Sequence, residues 1–251
     1  MTVLWLSLVF IGGAMVGSFL NVCIYRLPGN RSVLWPRSHC PACGEDLRAG
    51  QLIPIVSFLL LRGQCRYCAA VIPWQYPLVE LVTGAMFVLA VVKYGFTLAA
   101  LKLMLLFCLV VTAALIDLKH RIIPDKLNLV VFILAIPMLL EEKSVLVNGL
   151  LGLFICGGLL LFVAVVSRGG MGGGDVKLAA VIGFLLGWPQ GLIALFFAFL
   201  AGSLIGGVML WRRRVKPKEP VPFGPFLAVG SILAAFYADP IIRWYGTLLL
   251  G

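Results

Sequence analysis

Apolar blocks near the length of a bilayer crossing run through most of this chain, and no other feature restricts its fold as strongly. A transmembrane helix needs about 20 largely apolar residues. Eight candidate spans are readable: Thr2–Tyr25, Leu78–Val92, Thr97–Ile116, Leu127–Leu140, Val145–Val166, Val176–Leu186, Gly191–Trp211 and Phe226–Tyr245. Of 251 residues, 62% are hydrophobic and 12% charged. Soluble domains carry about a quarter charged residues, so a water-soluble globule is excluded. The expected fold class is an all-α polytopic membrane protein with about eight transmembrane helices.

Two of these segments are short. Leu127–Leu140 contains Pro137, and Val176–Leu186 ends at Gly187-Trp188-Pro189. A single helix from Val176 to Leu210 would be about 52 Å long, against a hydrocarbon core of about 30 Å. A break at Gly187–Pro189 is therefore expected.

The charges test this threading. Net charge is +10, and in a membrane protein Lys and Arg collect in cytoplasmic loops; a nucleic-acid partner is not expected. Arg26, the first basic residue, follows the first span, which argues for an extracytoplasmic N-terminus. Eight spans then put segments 26–77, 117–126, 167–177 and 212–225 inside, and these hold sixteen of the twenty basic residues. Merging two spans would put the run Arg212, Arg213, Arg214, Lys216 and Lys218 on the wrong side; on the inner face it meets anionic headgroups. Met1 to Phe10 has no basic n-region, so a removable secretion signal is not expected.

Residues 26–77 form the one extended polar stretch, and they carry Cys40-Pro-Ala-Cys43 and Cys65-Arg-Tyr-Cys68. Two C-x2-C knuckles supply four thiolates to one tetrahedral Zn²⁺. Gly44 and Gly63 suit turns with positive φ. Two disulfides are the competing reading, but a cytoplasmic loop is kept reduced. With all four positions filled by cysteine, the expected site is closed and structural. His39 reads as a bystander, and Cys23, Cys108 and Cys156 as small hydrophobes within spans. No repeat of fixed period is evident. The expected organisation is 1–25 as first helix, 26–77 as a small zinc-stapled cytoplasmic loop domain, and 78–251 as helices two to eight.

Among ten acids, Asp117 ends the third span and Asp175 begins the sixth, both at the cytoplasmic edge. Acids at a bilayer edge tend to mark a site or pathway. Two carboxyls close together do not both ionise easily, so one serves as base and the other as acid, which activates water against a peptide carbonyl. Gly172, Gly173 and Gly174 allow backbone to approach Asp175. Ordinary roles stand beside this: Asp117 paired with Lys119, Lys126 or headgroups, and Asp175 as a helix N-cap. Asp125 reads as an N-cap, Glu80 has no assigned partner, and Pro222-Phe-Gly-Pro225 reads as a break that aims the last helix.

Taken in order, these motifs resemble those of the bacterial prepilin peptidases, the type IV leader peptidases of the GxGD class of intramembrane aspartyl proteases. The similarity runs almost end to end. It covers Gly17-Ser-Phe-Leu-Asn-Val-Cys-Ile-Tyr-Arg-Leu-Pro28, the paired C-x2-C loop, Tyr76-Pro-Leu-Val-Glu80, Ile116-Asp117 with Ile123-Pro-Asp125, Gly172-Gly-Gly-Asp175-Val-Lys177, and Pro222-Phe-Gly-Pro-Phe226.

The resemblance implies that Asp117 and Asp175 are the catalytic pair, with Gly172 and Gly174 in the active-site loop. It implies an inner-membrane enzyme that removes the basic leader from type IV prepilins and type II secretion pseudopilins at the cytoplasmic face. It further implies N-methylation of the new terminal residue from S-adenosylmethionine, with 26–77 as the region for that activity. No glycine-rich nucleotide fingerprint marks the donor site there, and the sequence assigns no oligomeric state. Rival readings are a peptidase without methyltransferase activity, a proton- or metal-coupled transporter using the two Asp, and a zinc-anchored membrane scaffold.

Overall fold

A computed structural model describes residues 3–140, 142–167, 170–211 and 222–250. The basic run at 212–218 and Arg168 lie outside the described residues. Those described form nine α-helices and no strand: α1 Val3–Arg26, α2 Val56–Leu60, α3 Gln75–Tyr94, α4 Leu98–His120, α5 Asp125–Leu139, α6 Lys143–Val166, α7 Gly173–Leu186, α8 Trp188–Trp211 and α9 Gly224–Leu250. Apart from the single-turn helix α2, each corresponds to one expected span. The chain is an all-helical, multi-pass membrane protein.

Six helices, α1, α3, α4, α6, α8 and α9, are long and apolar enough to cross a membrane. The other two, α5 and α7, have 15 and 14 residues, or about 21–23 Å at 1.5 Å per residue. These are the segments the sequence marks as short. Helix α7 stops where expected: Gly187 caps it at φ +89°, and α8 begins at the next residue.

The chain divides into two compact units, Met1–Cys108 and Leu109–Gly251. In the first, α1 packs along α3. The Asn21 side-chain amide donates to the Tyr76 carbonyl at 3.1 Å, which ties the end of α1 to the start of α3.

In the second, α7 packs against α5, α6, α8 and α9. Leu178, Ala179, Ile182, Phe184 and Leu185 are at most 1% exposed, so neighbouring helices rather than lipid surround this short element. Closest approach is at Gly152 of α6 and Gly183 of α7, where a Cβ on either would collide with the other's carbonyl. Helix association in a bilayer relies on such close packing, because lipid tails are as apolar as leucine.

Candidate active site and metal site

Asp117 lies one turn before the end of α4 and is only 5% exposed. Its Oδ2 accepts a hydrogen bond from the Gly224 N–H at 2.8 Å. Gly224 opens α9, and the first N–H groups of a helix have no intrahelical acceptor and carry its positive dipole end. A buried carboxylate thus meets a donor that the fold leaves free. Among the described residues, Asp117 makes no ion pair with Lys119 or Lys126.

Asp175 lies in the first turn of α7, whose N-cap is Gly172. The N-cap role considered for Asp175 is therefore taken by the glycine three residues earlier. Asp175 feels the charge of Asp117, so α4 and α7 bring the two acids into electrostatic reach within one compact unit. Oδ1 of Asp175 is buried and without a hydrogen-bond partner among the described residues. An acceptor in that state calls for a proton, a water or a substrate donor.

The glycines fit close quarters. A Cβ on Gly172 would lie 3.3 Å from Oδ2 of Asp175, and one on Gly174 would lie 3.0 Å from the Ile123 Cβ. The start of α7 thus rests on the segment that leads into α5. Beside it, Lys177 Nζ donates to Asp125 Oδ2 at 2.7 Å. Asp125 is the first residue of α5, and Pro124 is its N-cap; the acid is an ion-pair partner rather than the expected cap. Gly224 is the residue that sequence reasoning missed. A glycine held between Pro222 and Pro225 was the available signal, read only as a helix break.

In the first unit, the sulfurs of Cys40, Cys43, Cys65 and Cys68 all lie within 4.8 Å of one another, with Cys40 and Cys68 at 3.9 Å. Sulfurs at the corners of a tetrahedron with about 2.3 Å bonds to a central Zn²⁺ stand about 3.8 Å apart. The geometry matches one shared ion, against the two separate crosslinks of the competing reading. Backbone N–H groups of Cys43 and Ala42 hold the Cys40 thiol down to about 7, while desolvation and the neighbouring thiols push Cys68 up to about 11, so the four sulfurs act on one another as one cluster.

The two knuckles are built alike. Cys40 donates its N–H to Glu45 and accepts from Gly44; Cys65 donates to Ala70 and accepts from Ala69. Isolated bridges His39–Asp46 and Gln64–Val71 close them. Gly44 and Gly63 have positive φ as expected. In the second knuckle, though, the position matching Gly44 is Ala69, at φ +56°. His39 stands outside the cluster, with Nδ1 at 3.0 Å from the Arg37 carbonyl. Among the spare cysteines, Cys23 and Cys156 are buried and Cys108 is half-buried.

Fold and site together define a polytopic helical membrane protein with two acids in electrostatic reach in one unit and a four-thiol metal-ligand set in the other. The Bacterial Peptidase A24 N-terminal domain matches residues 11–94, and the Type IV leader peptidase family matches residues 104–207. A prepilin leader peptidase/N-methyltransferase from Bacillus subtilis is 38% identical over 98% of this chain and 100% of the relative. Proteins of the same name from Burkholderia pseudomallei and Pseudomonas aeruginosa are 34% and 33% identical, over 98% and 93% of this chain and 88% and 90% of theirs. No solved structure matches the chain. The chain belongs to the type IV leader peptidase family.

Proposed function

We propose that this chain is a prepilin leader peptidase and N-methyltransferase, with Asp117 and Asp175 as the hydrolytic pair. The observation that carries the peptidase reading is that those acids lie within electrostatic reach of each other, one against the first turn of α9 and one within the first turn of α7. Relatives of that name span nearly the whole chain, which supports both activities.

The pair holds one proton between its two carboxyls. The ionised group takes a proton from water as the water oxygen attacks the scissile carbonyl carbon, and the protonated group gives its proton to the carbonyl oxygen. Collapse of the tetrahedral diol breaks the C–N bond, and the amine leaves with a proton returned by the pair. The N–H of Gly224 fixes the Asp117 carboxyl, so little reorganisation is needed when charge moves. Gly172 and Gly174 keep the approach to Asp175 free of side chains.

Zinc fits the four cysteines as a structural ion holding the 26–77 loop. S-adenosylmethionine supplies a methyl group on a sulfonium, ready for transfer to an amine. The substrates in this reading are type IV prepilins and type II secretion pseudopilins. The charge asymmetry of the loops supports an inner-membrane location with the 26–77 loop and the acids on the cytoplasmic side.

Incubation of the purified protein with a prepilin and S-adenosylmethionine, followed by mass spectrometry of the pilin N-terminus, tests both reactions. Loss of the leader with gain of one methyl group is expected. An intact leader overturns the peptidase reading, and a cleaved but unmethylated product overturns the methyltransferase reading.

A further inference from the structure

Methyl transfer needs a site of its own, and the inference that follows rests on the two-reaction reading above. Within the first unit, a partly open cavity of ≈ 230 Å³ lies between the cysteine knuckles, the end of α1 and the start of α3. Phe58, Leu61, Ile72 and Tyr76 give it apolar and aromatic walls.

Two buried side chains of opposite charge also line it: Arg26 at 6% and Glu80 at 7% exposure. Among the described residues, neither belongs to a salt bridge. Arg26 donates to the carbonyls of Ser32 at 3.1 Å and Arg37 at 3.2 Å. Glu80 accepts the Ile55 N–H at 2.7 Å and a hydrogen bond from Ser18. All of these partners are neutral. Burying an ionisable side chain without a counter-ion disfavours its charged form, and here one cavity is lined by two such groups.

The setting of Glu80 is itself constrained. Ile55, whose N–H it receives, has φ +63°, a conformation that a β-branched residue rarely adopts. Such strain persists only where surrounding structure over-determines it, and it clusters at ligand sites. The missing counter-charges are a cation for Glu80 and a carboxylate for Arg26. A zwitterionic, amino-acid-like ligand with an apolar or aromatic remainder supplies both. We propose that this cavity is the methyl-donor site and binds S-adenosylmethionine, with Arg26 receiving its carboxylate and Glu80 facing its cationic sulfonium and ammonium end.

Equilibrium binding to the zinc-loaded full chain in detergent tests this without turnover. The ligands are S-adenosylmethionine, its neutral-sulfur counterpart S-adenosylhomocysteine, and decarboxylated S-adenosylmethionine. Glu80→Gln should weaken the sulfonium ligand about tenfold or more and shrink its preference over the thioether, because a buried charge contact is lost. Arg26→Gln should weaken both carboxylate-bearing ligands by a similar factor and leave the decarboxylated one unchanged.

Zinc content reports whether each variant is folded. Should either lose zinc, Ser57→Trp, which puts a large side chain at the cavity wall and leaves both charged residues in the sequence, should abolish binding with zinc retained. Wild-type affinities in all zinc-retaining variants overturn the site, even if the wild type binds and methylates. Failure of the wild type to bind S-adenosylmethionine or to methylate a cleaved pilin sinks the two-reaction reading itself.

Discussion

The N–H of Gly224, the first residue of α9, donates to Oδ2 of Asp117 near the end of α4 at 2.8 Å. The two residues are 107 positions apart in sequence. A Cβ at 224 would lie 2.9 Å from that oxygen and 3.0 Å from the Asp117 Cβ. Every side chain beyond hydrogen would therefore push the acid away from its donor.

Gly224→Ala should reduce prepilin cleavage about 10²-fold, the scale for shifting a reacting group by about 1 Å. The thermal midpoint should change little, because the substitution disturbs one carboxylate rather than helix packing. A cleavage time course beside a melting curve checks this. An alanine variant that cleaves like wild type would mean that the contact does not position Asp117 for the reaction.

Asp117→Asn and Asp175→Asn should each lower cleavage by about 10²–10⁴-fold, the usual contribution of a positioned acid or base. The double variant should be no slower than the worse single one, because residues acting as a unit are not additive. Both singles should still methylate a pilin supplied already cleaved, which separates a lost dyad from a lost fold. Multiplicative losses in the double variant would show that the acids act independently.

Cys65→Ser should release the metal, measured by elemental analysis, and make the 26–77 region protease-sensitive. A loop of this size has too little apolar core to hold itself together without a staple. Chelation of the wild type should give the same cleavage pattern, and added Zn²⁺ should reverse it. Unchanged metal content in the serine variant would rule Cys65 out as a ligand.

Which parts of the molecule were legible in advance follows from where the information lies. Apolar blocks and helix-breaking Gly187 are local, so helix number and the α7–α8 break could be read directly. The four cysteines announce themselves by spacing, yet Ala69 does not: it takes a left-handed turn that Gly44 makes in the first knuckle, without glycine's signature. Contacts between distant segments were the hidden part. From Leu178 to Leu185 helix α7 is apolar all round and almost wholly buried, and such a stretch has no amphipathic stripe to indicate its neighbours. The Gly224–Asp117 and Lys177–Asp125 contacts depend on that packing, so the sequence could offer glycines and charges without pairing them.

Lys177 and Asp125 join the second turn of α7 to the first turn of α5 through a 2.7 Å ion pair whose side chains are 57% and 67% exposed. An exposed pair stabilises by about 0.2–1 kcal/mol at most and weakens with salt, so Lys177→Ala should scarcely move the melting temperature. Its position gives it more leverage on activity than on stability. Lys177 follows Asp175 by two residues, and Gly174 already rests on Ile123, two residues before Asp125. Releasing the pair therefore lets the start of α7 shift relative to α5 and carries Asp175 with it. Cleavage should fall several-fold in Lys177→Ala or Asp125→Ala, and raising salt should lower it in the wild type but much less in those variants. It should recover in the charge-swapped Lys177→Asp, Asp125→Lys double variant. Recovery separates a positioning contact from a residue that touches substrate, since a substrate ligand would not tolerate reversal of its charge.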